Sequence, residues 1–277
     1  MLSLNQWTTR NWSLESAVDG CVRHGIGGIG LWREKVAETG LDAAVKLIAG
    51  SGLTVTTLCR AGFFTGVTPD GSVLDPAAVA ADNRAAVDEA AALGAGTLVL
   101  LAGGLPAGSK DLAAARAAAA AGVAALAPYA ASRGVRLSIE PLHPMFCADR
   151  AVVSTLAQAL DMCDEIGAPN VGVCVDTYHI WWDPEVYAQL ARAGDRIHIF
   201  QVCDFLVPIP ADTLLGRGHV GDGVADIPSL ARAVVAAGYD GPVEVEIFNQ
   251  RVWDTPGDET LATITDRHAR YLGGIFS

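Results

Sequence analysis

Hydrophobic positions along the chain alternate between two periods. Eight short apolar runs recur: Leu2–Leu4, Gly28–Trp32, Thr54–Cys59, Thr97–Leu101, Arg136–Glu140, Val171–Asp176, Ile197–Val202 and Val243–Ile247. Each is bounded by turn residues and several are β-branched, so they read as buried strands. Between them the spacing becomes helical. Ser13-Leu14-Glu15-Ser16 reads as an N-cap with an acid in the first turn. Asp82–Leu93, Val153–Ile166, Pro184–Ala193 and Ile227–Ala237 each stop at a glycine, the usual residue of a left-handed helix end. Leu112–Ala131 is an alanine-rich helix, and Thr260–Leu272 is the last one.

The pattern predicts eight strands and eight helices in alternation, and 277 residues shared among eight units gives about 35 each. Such alternation implies parallel strands joined by right-handed crossovers. An open doubly wound sheet would place a glycine-rich phosphate loop after its first strand. Here that strand runs into Asn5-Gln6-Trp7-Thr8-Thr9. The expected fold is therefore a (β/α)8 TIM barrel, with residues 1–277 as a single domain. The irregular stretches 63–76 and 204–225 are expected as loops at its catalytic mouth.

Composition narrows the function. Charged residues make up 18% and hydrophobic residues 51%, which excludes a wholly disordered chain. The formal net charge is −12 and the 19 Lys and Arg are scattered, so a phosphate backbone is repelled and no nucleic-acid partner is expected. No run reaches the roughly 18 apolar residues of a membrane span. Leu112–Ala131 comes closest, but Arg116 interrupts it. The first five residues carry no basic segment, and the six cysteines contain no CxxC. Buried free thiols and a cytoplasmic location are expected.

A barrel enzyme assembles its site from the C-terminal ends of its strands. The fifth run ends in Glu140-Pro141-Leu142-His143, the sixth in Asp176-Thr177-Tyr178-His179, the seventh in Gln201-Val202-Cys203-Asp204, and the eighth in Glu246-Ile247-Phe248. Carboxylates placed behind apolar strands are costly to bury alone, and the cost falls when they share a cation. Three carboxylates and one amide oxygen make a hard ligand shell, which suits Mn²⁺ or Mg²⁺. The cofactor expected is a divalent metal, Mn²⁺ first, with Mg²⁺ or Co²⁺ as alternatives.

These segments, with Gly221-Asp222-Gly223 and Val243-Glu244-Val245-Glu246, resemble the sugar phosphate isomerase/epimerase family of the xylose isomerase-like barrels, most closely from Arg136 onward. That family includes ketose 3-epimerases, hydroxypyruvate isomerases and inosose dehydratases. The resemblance implies that Glu140, Asp176, Gln201 and Glu246 are metal ligands. It also implies that Glu140 and Glu246 move a carbon-bound proton through a metal-stabilised enediolate. The position of Gln201 is typically His in ketose epimerases. His198 has the wrong strand parity to replace it and reads as packed or supporting. A homodimer or homotetramer is the family habit.

His143, His179, Arg217, Trp32 and Trp181 are candidate contacts to a sugar or keto-sugar. Trp7, Trp182 and Phe64 also follow strands and could serve as aromatic walls. Glu244 shares the parity of Glu246 and needs a partner in the barrel, for which Arg136 is the candidate. No phosphate cradle stands out, so an unphosphorylated sugar is expected. The alternative outcome is a dehydratase or lyase that expels a β-leaving group from a keto-sugar, an inosose or a 3-oxo-glycoside. A nuclease with a histidine-rich metal cluster is disfavoured, because His24 and His268 of the six histidines fall in helical segments.

Overall fold

All eight apolar runs form strands, and each pairs in parallel with its neighbours. A computed structural model describes residues 1–276. Around the barrel run β1 (Leu2–Asn5), β2 (Gly28–Trp32), β3 (Thr54–Gly62), β4 (Thr97–Leu101), β5 (Arg136–Ile139), β6 (Val171–Asp176) and β7 (Ile197–Val202). A short antiparallel pair follows, β8 (Asp204–Phe205) with β9 (Arg217–Gly218). Then β10 (Val243–Val245) closes the barrel between β7 and β1. The result is the expected (β/α)8 architecture.

The helix termini follow local chemistry. The helix expected from Asp82 begins at Pro76 and runs Pro76–Leu93. Asp75 caps it by accepting from the Ala77 and Ala78 N–H groups, and proline suits a first turn whose N–H groups have no helical partner. The alanines between Pro76 and Asp82 carry too little apolar contrast to reveal that start. Thr155 caps Leu156–Ile166, three residues later than read, and Val186–Ala193 begins beyond Pro184. Strict alternation is broken after β2. Two helices, Arg33–Thr39 and Leu41–Ser51, stand there on either side of Gly40, whose φ of 86° favours glycine.

The long helix Leu112–Ser132 is apolar and long enough to cross a membrane by length and composition alone. Its buried residues Ala115, Ala119, Val123, Leu126, Ala127 and Ala130 form one helical face. That face packs against the helices Pro76–Leu93 and Leu156–Ile166 and against β5. Leu4, Ile29, Leu98, Leu137 and Val173 are fully buried in the core. Each such side chain contributes about 1.5–3 kcal/mol by leaving water.

The barrel axis is polar. Strand register aligns Ser3 and Gln201 with Glu244, and Asp176 with Gln201. Glu244 is fully buried and accepts from Asn5 Nδ2 at 2.9 Å, Gln201 Nε2 at 2.8 Å, Thr56 Oγ1 at 2.5 Å and Thr57 Oγ1 at 2.9 Å. Gly30 leaves room for this carboxylate, since a Cβ there would stand 2.5 Å from Glu244 Oε2. Arg136 is therefore not its partner, against the sequence expectation. It opens β5, is exposed, and donates to Thr97 Oγ1 at 3.1 Å. Parity places a side chain inside or outside but does not fix its height along the barrel.

Candidate active site

Each carboxylate at the mouth owes its position to a strand end. Glu140 follows β5, and its N–H donates to the Leu100 carbonyl at 3.0 Å. Asp176 ends β6, and its Oδ1 accepts from Tyr178 N–H at 2.9 Å, capping the single turn Thr177–Ile180. That turn carries His179 back over the cavity. Glu246 follows β10, and its N–H donates to the Val202 carbonyl at 3.3 Å. All four residues are buried.

Arg217 is carried in by β9 and is also buried. Its Nη1 lies 2.6 Å from Asp176 Oδ2 and 3.1 Å from Glu246 Oε2, and its Nη2 lies 3.0 Å from His179 Nε2. Tyr178 and Phe248 flank the guanidinium at 4.7 and 4.9 Å. The stretch read as an open loop, 204–225, thus contains the hairpin that delivers the site's buried cation.

Burial and mutual repulsion set the protonation states. Burial pushes Glu246 up to about 8; Arg217 works against that shift, while Asp176 and Glu244 add to it. Glu140 is raised well above the ordinary range, by burial and then by Glu246 and Asp176. His179 is held well below its usual value by burial and by Arg217, so it is neutral at pH 7. His179 Nδ1 accepts from the His143 N–H at 3.0 Å. His179 Nε2 faces the donor Nη2 of Arg217 at 3.0 Å and lies 3.7 Å from Asp176 Oδ2 and 3.9 Å from Glu140 Oε1.

A divalent metal is suggested at this point. Ligating atoms of Glu140, Asp176 and His179 lie within 4.8 Å of one another. The donor chemistry fits a divalent cation: two carboxylates and an imidazole, all buried, converge, and no hydrogen bond reaches the Glu140 carboxylate among the described residues. Buried carboxylate oxygen without a donor is costly unless a cation or a ligand supplies the missing partner. Gln201 stands deeper. Its Nε2 donates to Glu244, and its Oε1 accepts from Cys174 Sγ at 3.1 Å.

A cavity of about 340 Å³ opens above these groups, within the range of small-ligand sites. Trp32 lines it and stacks on Trp7 with ring centroids 4.5 Å apart, and Phe248 and Trp253 complete that wall. Glu140, His179, Arg217 and Glu246 line it too. His143 and Trp181, predicted as substrate contacts, are not brought to its wall. The His143 ring lies between Trp182 and Phe205 at 5.3 and 5.9 Å, and Trp181 packs on Phe205 at 4.9 Å. These rings meet because the hairpin turns Phe205 toward the Thr177–Ile180 turn and takes their apolar faces. Phe64 packs over Gly122 instead. His198 is packed against Gly172, and burial lowers its pKa to about 4. The six cysteines are free, and five of them are buried. Sequence reading missed Arg10, Arg60, Arg150, Phe248 and Trp253. Arg60 lies one residue beyond the third run as read, so extending that strand would have found it. Arg150 carries no local signal.

The fold and its acidic mouth define a barrel of the class that builds its site from the C-terminal ends of its strands. The chain belongs to the xylose isomerase-like TIM barrel family, whose sequence model matches residues 18–271. It is similar over 98% of its length, and 98% of the other chain, to the crystal structure of protein SMc04130 from Sinorhizobium meliloti 1021, with 48% identity and a TM-score of 0.92. A second structure, the IOLI protein with a bound zinc atom, shares the fold at a TM-score of 0.85 and 20% identity, covering 100% of this chain and 99% of that one. Among curated proteins, an L-ribulose 3-epimerase of Methylomonas sp. (strain DH-1) is 28% identical over 137 residues, which is 49% of this chain and 43% of that protein. Ketose 3-epimerases, inosose isomerases and 3-dehydroshikimate dehydratases match over similar stretches. The chain spans about half or less of the length of the curated relatives it matches.

Proposed function

We propose that the protein is a divalent-metal-dependent isomerase or epimerase acting on a sugar or sugar-like hydroxy-ketone. The observation that carries this reading is the pair Glu140 and Glu246, two buried carboxyl groups that face one cavity with raised pKa values. Proton transfer needs groups that exchange protons near the working pH, and it needs one to give while the other takes. One of the two takes the carbon-bound proton and the other returns one. Relatives named as epimerases and isomerases support the same chemistry.

Glu140, Asp176 and His179, whose ligating atoms stand together, would hold the metal, and Glu246 faces the same cavity. When bound, the metal supplies Lewis-acid polarisation of the substrate carbonyl. Arg217 holds Asp176 and Glu246 in place and lowers the cost of negative charge that develops during proton transfer. The stacked pair Trp7 and Trp32 with Phe248 excludes water and packs on the C–H face of a ring. Intracellular action in the cytoplasm belongs to the same reading.

A second outcome has its own support. A 3-dehydroshikimate dehydratase of Pseudomonas aeruginosa is 34% identical over 132 residues, which is 45% of this chain and 19% of that protein. The same abstraction by one glutamate, followed by loss of a β-hydroxyl protonated by the other, makes the protein a dehydratase. Turnover of a ketose panel by the wild type and by Glu140→Gln and Glu246→Gln, with metal content measured on each, tests the proposal. Metal-dependent turnover abolished in both variants is expected. Full turnover in either variant would overturn the assignment, and an unsaturated product would select the dehydratase.

A further inference from the structure

Several arginines of this chain are committed to acids. Arg33 makes two hydrogen bonds each to Asp82 and Glu89, and Arg192 bonds Asp161 and Asp164. Three arginines on the cavity wall differ: among the described residues Arg10, Arg60 and Arg150 donate no side-chain hydrogen bond. Arg10 lies 4.1 Å from the Trp253 ring, and the Arg150 Nε is buried without a partner. The carboxylates nearest the other two are Glu34, 3.8 Å from Arg60, and Asp149, 3.8 Å from Arg150. Neither distance is a hydrogen bond. Aromatic rings hold both of these guanidiniums: Trp32 and Phe63 lie 5.7 and 5.1 Å from Arg60, and Phe146 lies 5.8 Å from Arg150. Both side chains line the same cavity.

Like charges on one cavity wall, half-buried and short of acceptors, lack an anion. In a chain of net charge −12, uncommitted guanidiniums beside this cavity are not a general surface property. Planar guanidinium forks match the two oxygens of a carboxylate or phosphate. The remaining acids on the wall are Glu34 and Asp212 at the rim and Glu140 and Glu246 at the base.

We propose that the substrate is an anionic sugar derivative, whose carboxylate or phosphate is gripped by Arg60 and Arg150 while its hydroxy-ketone end reaches Glu140, His179 and Glu246. This rests on the reading of that base as the reacting end. An oxyanion at one end also fixes which end of the molecule meets the glutamates. The unphosphorylated sugar expected from the sequence would leave both forks empty unless it carries a carboxylate.

Titration calorimetry on the protein as purified tests this with gluconate, inorganic phosphate and, as the neutral control, sorbitol. At least one anion is expected to bind tenfold or more tightly than sorbitol, and to weaken as salt is raised. Preference for gluconate identifies a carboxylate, and preference for phosphate identifies a phosphate. Arg60→Gln with Arg150→Gln should remove the preference, and Arg60→Lys with Arg150→Lys, which keeps the charge and loses the fork, should restore part of it. Anion binding no tighter than sorbitol, or unchanged in the glutamine pair, overturns the proposal. In Glu246→Gln the anion preference should persist. Its persistence with loss of proton transfer separates this proposal from the reading of the base.

Discussion

Removing Glu244 tests how the barrel axis is built. Glu244→Ala deletes an acceptor-only group that serves Asn5, Thr56, Thr57 and Gln201. The two threonine hydroxyls can rotate to other acceptors; Thr56 already has Ser3 Oγ at 2.8 Å. The two amides cannot, so Asn5 Nδ2 and Gln201 Nε2 lose their principal acceptor. A buried donor left unsatisfied costs about 1–3 kcal/mol, which gives a loss of about 2–6 kcal/mol. Removing a buried charge returns part of this, leaving about 2–4 kcal/mol. For a domain of this size each kcal/mol lowers Tm by about 2–4 °C, so the expected fall is about 4–16 °C. Thermal unfolding followed by far-UV circular dichroism at one scan rate reads it. A Tm within about 1 °C of wild type would refute the argument that Glu244 anchors the axis.

Three further outcomes follow from the same geometry. Gly30→Ala drives a methyl against the Glu244 carboxylate, 2.5 Å away, and should lower Tm by several degrees although the residue is small. Arg217→Met strands Asp176 and Glu246 without their cation. Its expected cost is about 3–5 kcal/mol in the metal-free protein, measured by denaturant midpoint. Glu246→Gln should stabilise the metal-free protein in a pH-dependent way. Its folded pKa of about 8 lies above the reference 4.5, so the wild type keeps its full stability below about 4.5 and loses it as pH rises to about 8. The gain in Tm should be largest at pH 8 and vanish near pH 4.5, and equal gains at both would contradict the raised carboxyl.

The strands were legible because buried runs bounded by turn residues carry a strong local signal, and the strand ends then exposed Glu140, Asp176, Gln201 and Glu246. Less legible were features that depend on height or on remote packing. Arg136 has the parity to meet Glu244, yet it opens its strand and turns to Thr97. The helix start at Pro76 was hidden in alanines. The hairpin that carries Arg217 is two residues wide on each side, too short to show a period. His143 follows a strand end like its neighbours, but a short 3-10 turn, Pro144–Phe146, and the Phe205 ring decide where its imidazole rests. Arg60 and Arg150 lie far apart in sequence, and only the closed barrel brings both to the wall of one cavity.

The central claim is that Glu246 and Glu140 move a proton on a carbon next to a carbonyl. Solvent-deuterium uptake into a ketose panel that includes sugar acids and sugar phosphates, followed by NMR on the metal-loaded protein and on Glu246→Gln, tests it directly. The account predicts deuterium at a single carbon beside the carbonyl with the wild type, and none with the variant. Isomerised or epimerised product that carries no solvent deuterium, formed as fast by Glu246→Gln as by the wild type, would contradict it.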